Sequence, residues 1–231
     1  MPTHLTLATP ATALPGDLCE LFRGTGERIK SILLKLLETN AQSLNESHFT
    51  CPTYLGFSAL HLAAEHGNLD LVPKEFLTAA NLSKPLNTKF QKGKTVLHLA
   101  AQHGHLDQIP AAGITAENLS LKCERGETAL HVAARYGHLD QIPAAVLSNK
   151  ILNETGADGG TVFHVAAFEG HLDQIPKPFL ILSNFGKREQ SGMTVVACAR
   201  HHDFKGIPKE ILDEFPDETE VPTAGGYAGY R

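Results

Sequence analysis

The chain has 231 residues, of which 42% are hydrophobic and 19% charged: enough apolar material for a buried core and too much for a disordered chain. Twenty basic side chains against 25 acidic ones leave a formal net charge of −5, which argues against a dedicated nucleic-acid binder with its basic face. No apolar run reaches the ~18 residues of a membrane span, and the four scattered cysteines (Cys19, Cys51, Cys123, Cys198) show no CxxC pair, so reduced thiols are expected.

The first stretch lacks a basic start and is interrupted by Pro2, Pro10 and Pro15, a poor secretion signal. The chain is therefore expected in the cytoplasm, or inside a host cell if it is a delivered effector. The Asn-x-Ser/Thr triplets at Asn45, Asn81, Asn118 and Asn153 then read as chance. Residues 1–52 form an N-terminal segment in which Ile29, Ile32, Leu33, Leu36 and Leu37 follow helical spacing. That predicts an amphipathic helix near 27–39, expected to cap the region from residue 53 onward.

From there the chain repeats itself. GFSALHLAA from Gly56 recurs as GKTVLHLAA from Gly93, GETALHVAA from Gly126 and GGTVFHVAA from Gly159, with a degraded GMTVVACA from Gly192. The anchoring His61, His98, His131 and His164, with Ala197 in the fifth slot, are 37, 33, 33 and 33 residues apart. A second block, His-Leu-Asp-Gln-Ile-Pro, opens at His105, His138 and His171. Fixed periods of this size mark a solenoid whose units bury their apolar faces only by stacking.

The 33-residue period and the pattern G-x-T-x-L-H-x-A-A-x-x-G-H-L resemble the ankyrin repeat. The likeness covers about Gly56 to Leu212. It implies an all-α solenoid of helix-turn-helix units with short hairpin loops, occupying 53–214 as four good repeats and a degraded terminal one. Two features depart from the family pattern. The proline after Thr is Ala or Val (Ala59, Val96, Ala129, Val162), and the second helix is interrupted at Pro73, Pro110, Pro143, Pro176 and Pro208.

Ser58, Thr95, Thr128 and Thr161 fit the N-caps of the first helices, and Gly67, Gly104, Gly137 and Gly170 fit left-handed C-caps. Asn68, His105, His138 and His171 fall in the N-cap slot of the next turn. Proline past the first turn breaks a helix, so Leu-Asp-Gln-Ile is expected as one turn, with a fresh turn starting at the proline. Four extra residues separate the first two copies; aligning Thr78–Ser83 with Thr115–Ser120 assigns them to Lys84-Pro85-Leu86-Asn87, either a tolerated loop or a longer finger. Residues 215–231, rich in Asp, Glu, Pro and Gly, read as a flexible tail.

No phosphate-binding loop, dinucleotide fingerprint, HExxH or nucleophile elbow occurs, so no enzyme, cofactor or metal is expected. The histidine ladder sits three residues after a cap, where each ring can bond back to the cap and across to the next repeat. His201-His202-Asp203 offers a polar end surface or an opportunistic metal site.

What varies while the frame repeats is the residue after the hairpin Gly and the pair after Ala-Ala. In the family these slots line the concave face and the hairpin fingers. The resemblance therefore implies a partner-binding face of Phe57, Glu65, His66, Lys94, Gln102, His103, Glu127, Arg135, Tyr136, Phe168 and Glu169, with Arg135, Tyr136 and Phe168 as anchors. The expected function is non-enzymatic protein–protein interaction by a monomer, as adaptor, scaffold or effector, with no nucleic-acid or membrane partner. The alternative is a structural segment packing against another domain or subunit of a larger assembly.

Overall fold

The computed structural model describes residues 15–23, 27–39, 43–53, 56–89, 91–203 and 205–215. The tail 216–231 and the side chains of Ile29, Leu33, Leu36 and His201 lie outside the described residues. In chain order the α-helices are α1 (Pro15–Phe22), α2 (Glu27–Thr39), α3 (Glu46–Thr50), α4 (Ala59–His66), α5 (Ala79–Leu82), α6 (Val96–His103), α7 (Ala116–Leu119), α8 (Ala129–Tyr136), α9 (Asn149–Leu152), α10 (Val162–Glu169), α11 (Leu182–Phe185), α12 (Val195–Ala199) and α13 (Lys209–Leu212).

The long first helices α4, α6, α8, α10 and α12 stack consecutively. Ala63-Ala64, Ala100-Ala101, Ala133-Ala134 and Ala166-Ala167 are buried between them, where a methyl group lets neighbouring backbones approach. Leu60, Leu97, Leu130 and Phe163 fill the layers. Each helix of the four good repeats starts at its Ser or Thr and stops at its Gly in the left-handed region. At Gly104 two demands coincide: φ is +75°, and a Cβ would stand 2.8 Å from the ring of His138 in the next repeat.

The second arm is not one helix. Leu106–Gln108 forms a single 3-10 turn, Pro110 ends it, Ala111–Gly113 forms another, and the four-residue α7 follows. The other good repeats keep this order. The turn at the proline is as expected; the short helix after it is a departure, because Thr78 and Thr115 act as N-caps, accepting from the amides of Asn81 and Asn118. Buried Asn81, Asn118 and Asn184 then tie that helix to the preceding turn by donating to the Phe76, Gly113 and Phe179 carbonyls.

Without packed second helices, a glutamine joins the arms. Gln108 Oε1 accepts from the Leu69 amide while Nε2 donates to the Gly67 carbonyl one repeat back. Gln141 does the same to Leu106 and Gly104, and Gln174 to Leu139 and Gly137. The side-chain amide thus satisfies a helix C-cap carbonyl and a turn N–H that would otherwise need a partner.

The isolated bridge Pro85↔Thr95 closes the second repeat's hairpin, against Lys122↔Thr128 and Thr155↔Thr161 in the next two. Leu86 and Gly93 hold the hydrogen-bonding positions of Cys123 and Gly126. The four extra residues therefore lie between Leu86 and Gly93, in the tip, and not at 84–87. Pro85 and Leu86 belong to the shared frame.

At the N-terminal end the amphipathic helix is present as α2, with Leu37 buried. Its neighbour is the Leu69–Leu71 turn, while α1, which the sequence pattern missed, packs on α4. Asn68 Nδ2 donates to the Phe22 carbonyl at 3.1 Å, so α1 stands where a preceding first helix would. Buried Phe22 and Phe49 of α3 meet edge to face, and half-buried Phe76 stacks on Phe49, 4.7 Å apart between ring centroids. At the other end Asp203, φ +51°, replaces the C-cap Gly of the degraded repeat.

Candidate binding face

The face that could read a partner is built on the histidine frame. In the second repeat the Thr95 amide donates to His98 Nδ1 at 3.1 Å, and Nε2 faces the Glu127 carbonyl of the next hairpin at 3.1 Å. A nitrogen facing a carbonyl must carry the proton, so the ring is the neutral Nε2–H tautomer. His61, His131 and His164 repeat this against the Lys84, Gly160 and Lys187 carbonyls. Burial pushes His61 and His98 down to about 4, the carbonyl bonds offsetting part of it, and it lowers His131 and His164 too.

His105 and His171 do not cap their own turns. Their Nδ1 atoms donate to the Ala64 and Ala134 carbonyls of the preceding repeat, and the rings, with His138, cover the preceding C-cap glycines.

On this frame the varying slots meet in pairs. Lys94, after the hairpin Gly, donates from Nζ to Oε1 of Gln102, after Ala-Ala, at 2.6 Å. One repeat on, Glu127 and Arg135 occupy the same two slots and form an ion pair whose side chains are 13% and 16% exposed. Arg135 is thus held by Glu127 and is not an open anchor. Burial lowers the Lys94 pKa, with the Cys123 thiol and Glu127 pulling the other way. In the fourth repeat Gly160 supplies no side chain, and Phe168 packs half-buried against the core, as Phe57 does in the first. Glu65, His66 and Glu169 are half-buried, and His103 is exposed, its ring 6.4 Å from that of His105. Tyr136, at 48% exposure, is the exposed large hydrophobic side chain of the set.

A family model described as ankyrin repeats (3 copies) matches residues 24–111, and one described as ankyrin repeat matches residues 125–146. The chain carries ankyrin repeats. Its match begins ahead of the histidine pattern, taking in α2 and α3. Beyond 146 the ankyrin frame continues in the chain's own caps and bridges, down to Arg188↔Thr194. No curated protein matches the chain. Ankyrin repeats are generally protein–protein interaction modules and typically non-enzymatic. Among the described residues no three His, Cys, Asp or Glu side chains gather as a metal site, and no helix is long and apolar enough to cross a membrane.

Proposed function

We propose that this chain binds a protein partner across its concave face and hairpins, at the slots of Phe57, Lys94, Glu127, Arg135, Tyr136 and Phe168, with no chemistry of its own. One observation carries the reading: in the second to fourth repeats the Thr caps, the histidine-to-hairpin bonds and the glutamine bridges are the same, while two facing surface slots change from Lys–Gln to Glu–Arg to Gly–Phe. Nothing in the frame requires that variation; recognition does. A rigid surface also lowers the ordering cost of association. Tyr136 is the anchor, since an exposed aromatic supplies contact area at little entropic cost. Affinity capture from source-cell lysate with wild type and Tyr136→Ala tests this, circular dichroism confirming the fold. A partner lost by the folded variant supports it; unchanged capture removes Tyr136 from the site. Phe168→Ala is the poorer probe, because Phe168 also packs against the core.

A further inference from the structure

The paired slots of the second and third repeats differ in whether their charges cancel. In the third repeat the pair is Glu127–Arg135, and each charge answers the other. In the second repeat the same slots hold Lys94 and Gln102, and a neutral amide cancels nothing. An ammonium carries three N–H donors. Among the described residues Gln102 Oε1, at 2.6 Å, is the acceptor that Lys94 Nζ reaches, which leaves donors over for a further acceptor.

The surroundings do not make up the difference. The charges that face Lys94 are those of Glu127, Arg125 and Arg135, so Lys94, Arg125 and Arg135 meet a single carboxylate. That surplus of positive charge stands in a chain whose formal net charge is −5. On the hairpin tips Lys92 and Glu124 answer each other at 3.4 Å. Glu65 faces His103. Burial already holds the Lys94 pKa below the ordinary lysine value, the mark of a cation short of both water and counter-charge. Exposed Tyr136 follows His103 by one repeat in register and precedes Glu169 by one, so the sign of the face reverses across the ring.

We propose, on the concave-face reading above, that the partner presents an acidic segment: an aspartate or glutamate carboxylate accepts from Lys94 Nζ, and the residues beside it cross Tyr136 toward the fourth repeat. Glu169 repels a second carboxylate there, so the acidic end of the segment is fixed at the second repeat. A basic segment meets the positive surplus at Lys94 and is rejected.

The test selects a random phage-displayed peptide library on the full chain, and the enriched peptides are synthesised and titrated by fluorescence anisotropy. The expected peptides carry Asp or Glu at a shared position. Lys94→Gln, its fold confirmed by circular dichroism, should weaken them about tenfold, and Lys94→Arg should keep most of the affinity. In Lys94→Gln, changing the peptide's own Glu to Gln should cost nothing further, as a direct pair requires. An acidic peptide indifferent to Lys94→Gln overturns the proposal, as do peptides rich in Lys or Arg, or no enrichment over a blank surface. Peptides that need Tyr136 yet share no acidic position overturn it while leaving the concave-face reading standing; peptides indifferent to both Tyr136→Ala and Lys94→Gln remove both.

Discussion

His98 has both ring nitrogens engaged, one by its own cap and one by the next hairpin. Protonating Nδ1 would set a proton against the Thr95 amide in a buried site. The folded pKa, about 4 for His98 and His61, lies below the unfolded value near 6.5. Between those values the unfolded chain holds more protons, so stability is fully present above pH 6.5 and is lost as pH falls toward 4. The two rings together should cost several kcal/mol over that window, about 3 kcal/mol each as an upper figure. Urea midpoints at pH 7 and pH 4.5 measure it; His98→Gln should flatten the difference. Equal midpoints for wild type would contradict neutral buried rings. The ladder was legible in the sequence because one residue type recurs at one period. The pairing of Arg135 with Glu127 is not legible in the sequence, because Glu127 lies eight residues back, across a helix start, and periodicity says nothing of which two varying slots face each other.

Within a repeat, the question the prolines raise is what holds an arm with no second helix to cooperate with. The glutamine bridge answers it: Gln141 satisfies the Leu106 N–H and the Gly104 carbonyl at once. Gln141→Leu should leave both without that partner and destabilise by about 2 kcal/mol, read as a lower urea midpoint with an unchanged slope. The first repeat supplies a natural contrast. Leu71 takes the glutamine slot there, packed against the core, and the turn it ends faces α2 in place of another proline arm. Leu71→Gln should therefore destabilise as well, where a general preference for glutamine would stabilise; the same denaturation series separates the two. In the sequence, the first helices and the proline turns were readable from caps, glycines and spacing. The four-residue helices after the prolines were not, being too short to display a period. The extra hairpin residues were misplaced because Lys84 and Pro85 share no identity with Leu121 and Lys122. Backbone pairing across the hairpin decides that alignment, and sequence does not carry it.

A stack in which each unit touches only its neighbours opens where its interfaces are weakest. The first three junctions between repeats carry a histidine to the next hairpin, a glutamine to the previous arm and a ring over the C-cap glycine. The last junction keeps the His164 bond and sets His202 on Gly170. It has Gly206 where the glutamine belongs, and a Cβ there would stand 2.6 Å from the Asp173 amide nitrogen, so the bridge cannot be grafted in. The ladder ends at Ala197. The N-terminal end is better closed, by α1 on α4 and the Phe22–Phe49–Phe76 aromatic cluster. Local opening should thus begin at α12 and α13 and reach α6 and α8 last. Native-state hydrogen exchange should rank α13 and α12 below α10, and α10 below α8, with a gap between α12 and α8 of about 2 kcal/mol or more in opening free energy. Gly206→Ala should widen that gap by weakening the last junction further while leaving α8 unmoved. Equal protection from α4 to α12, collapsing together in the variant, would mean that the stack opens as one cooperative unit, and that missing one glutamine bridge is too small a loss to uncouple its end.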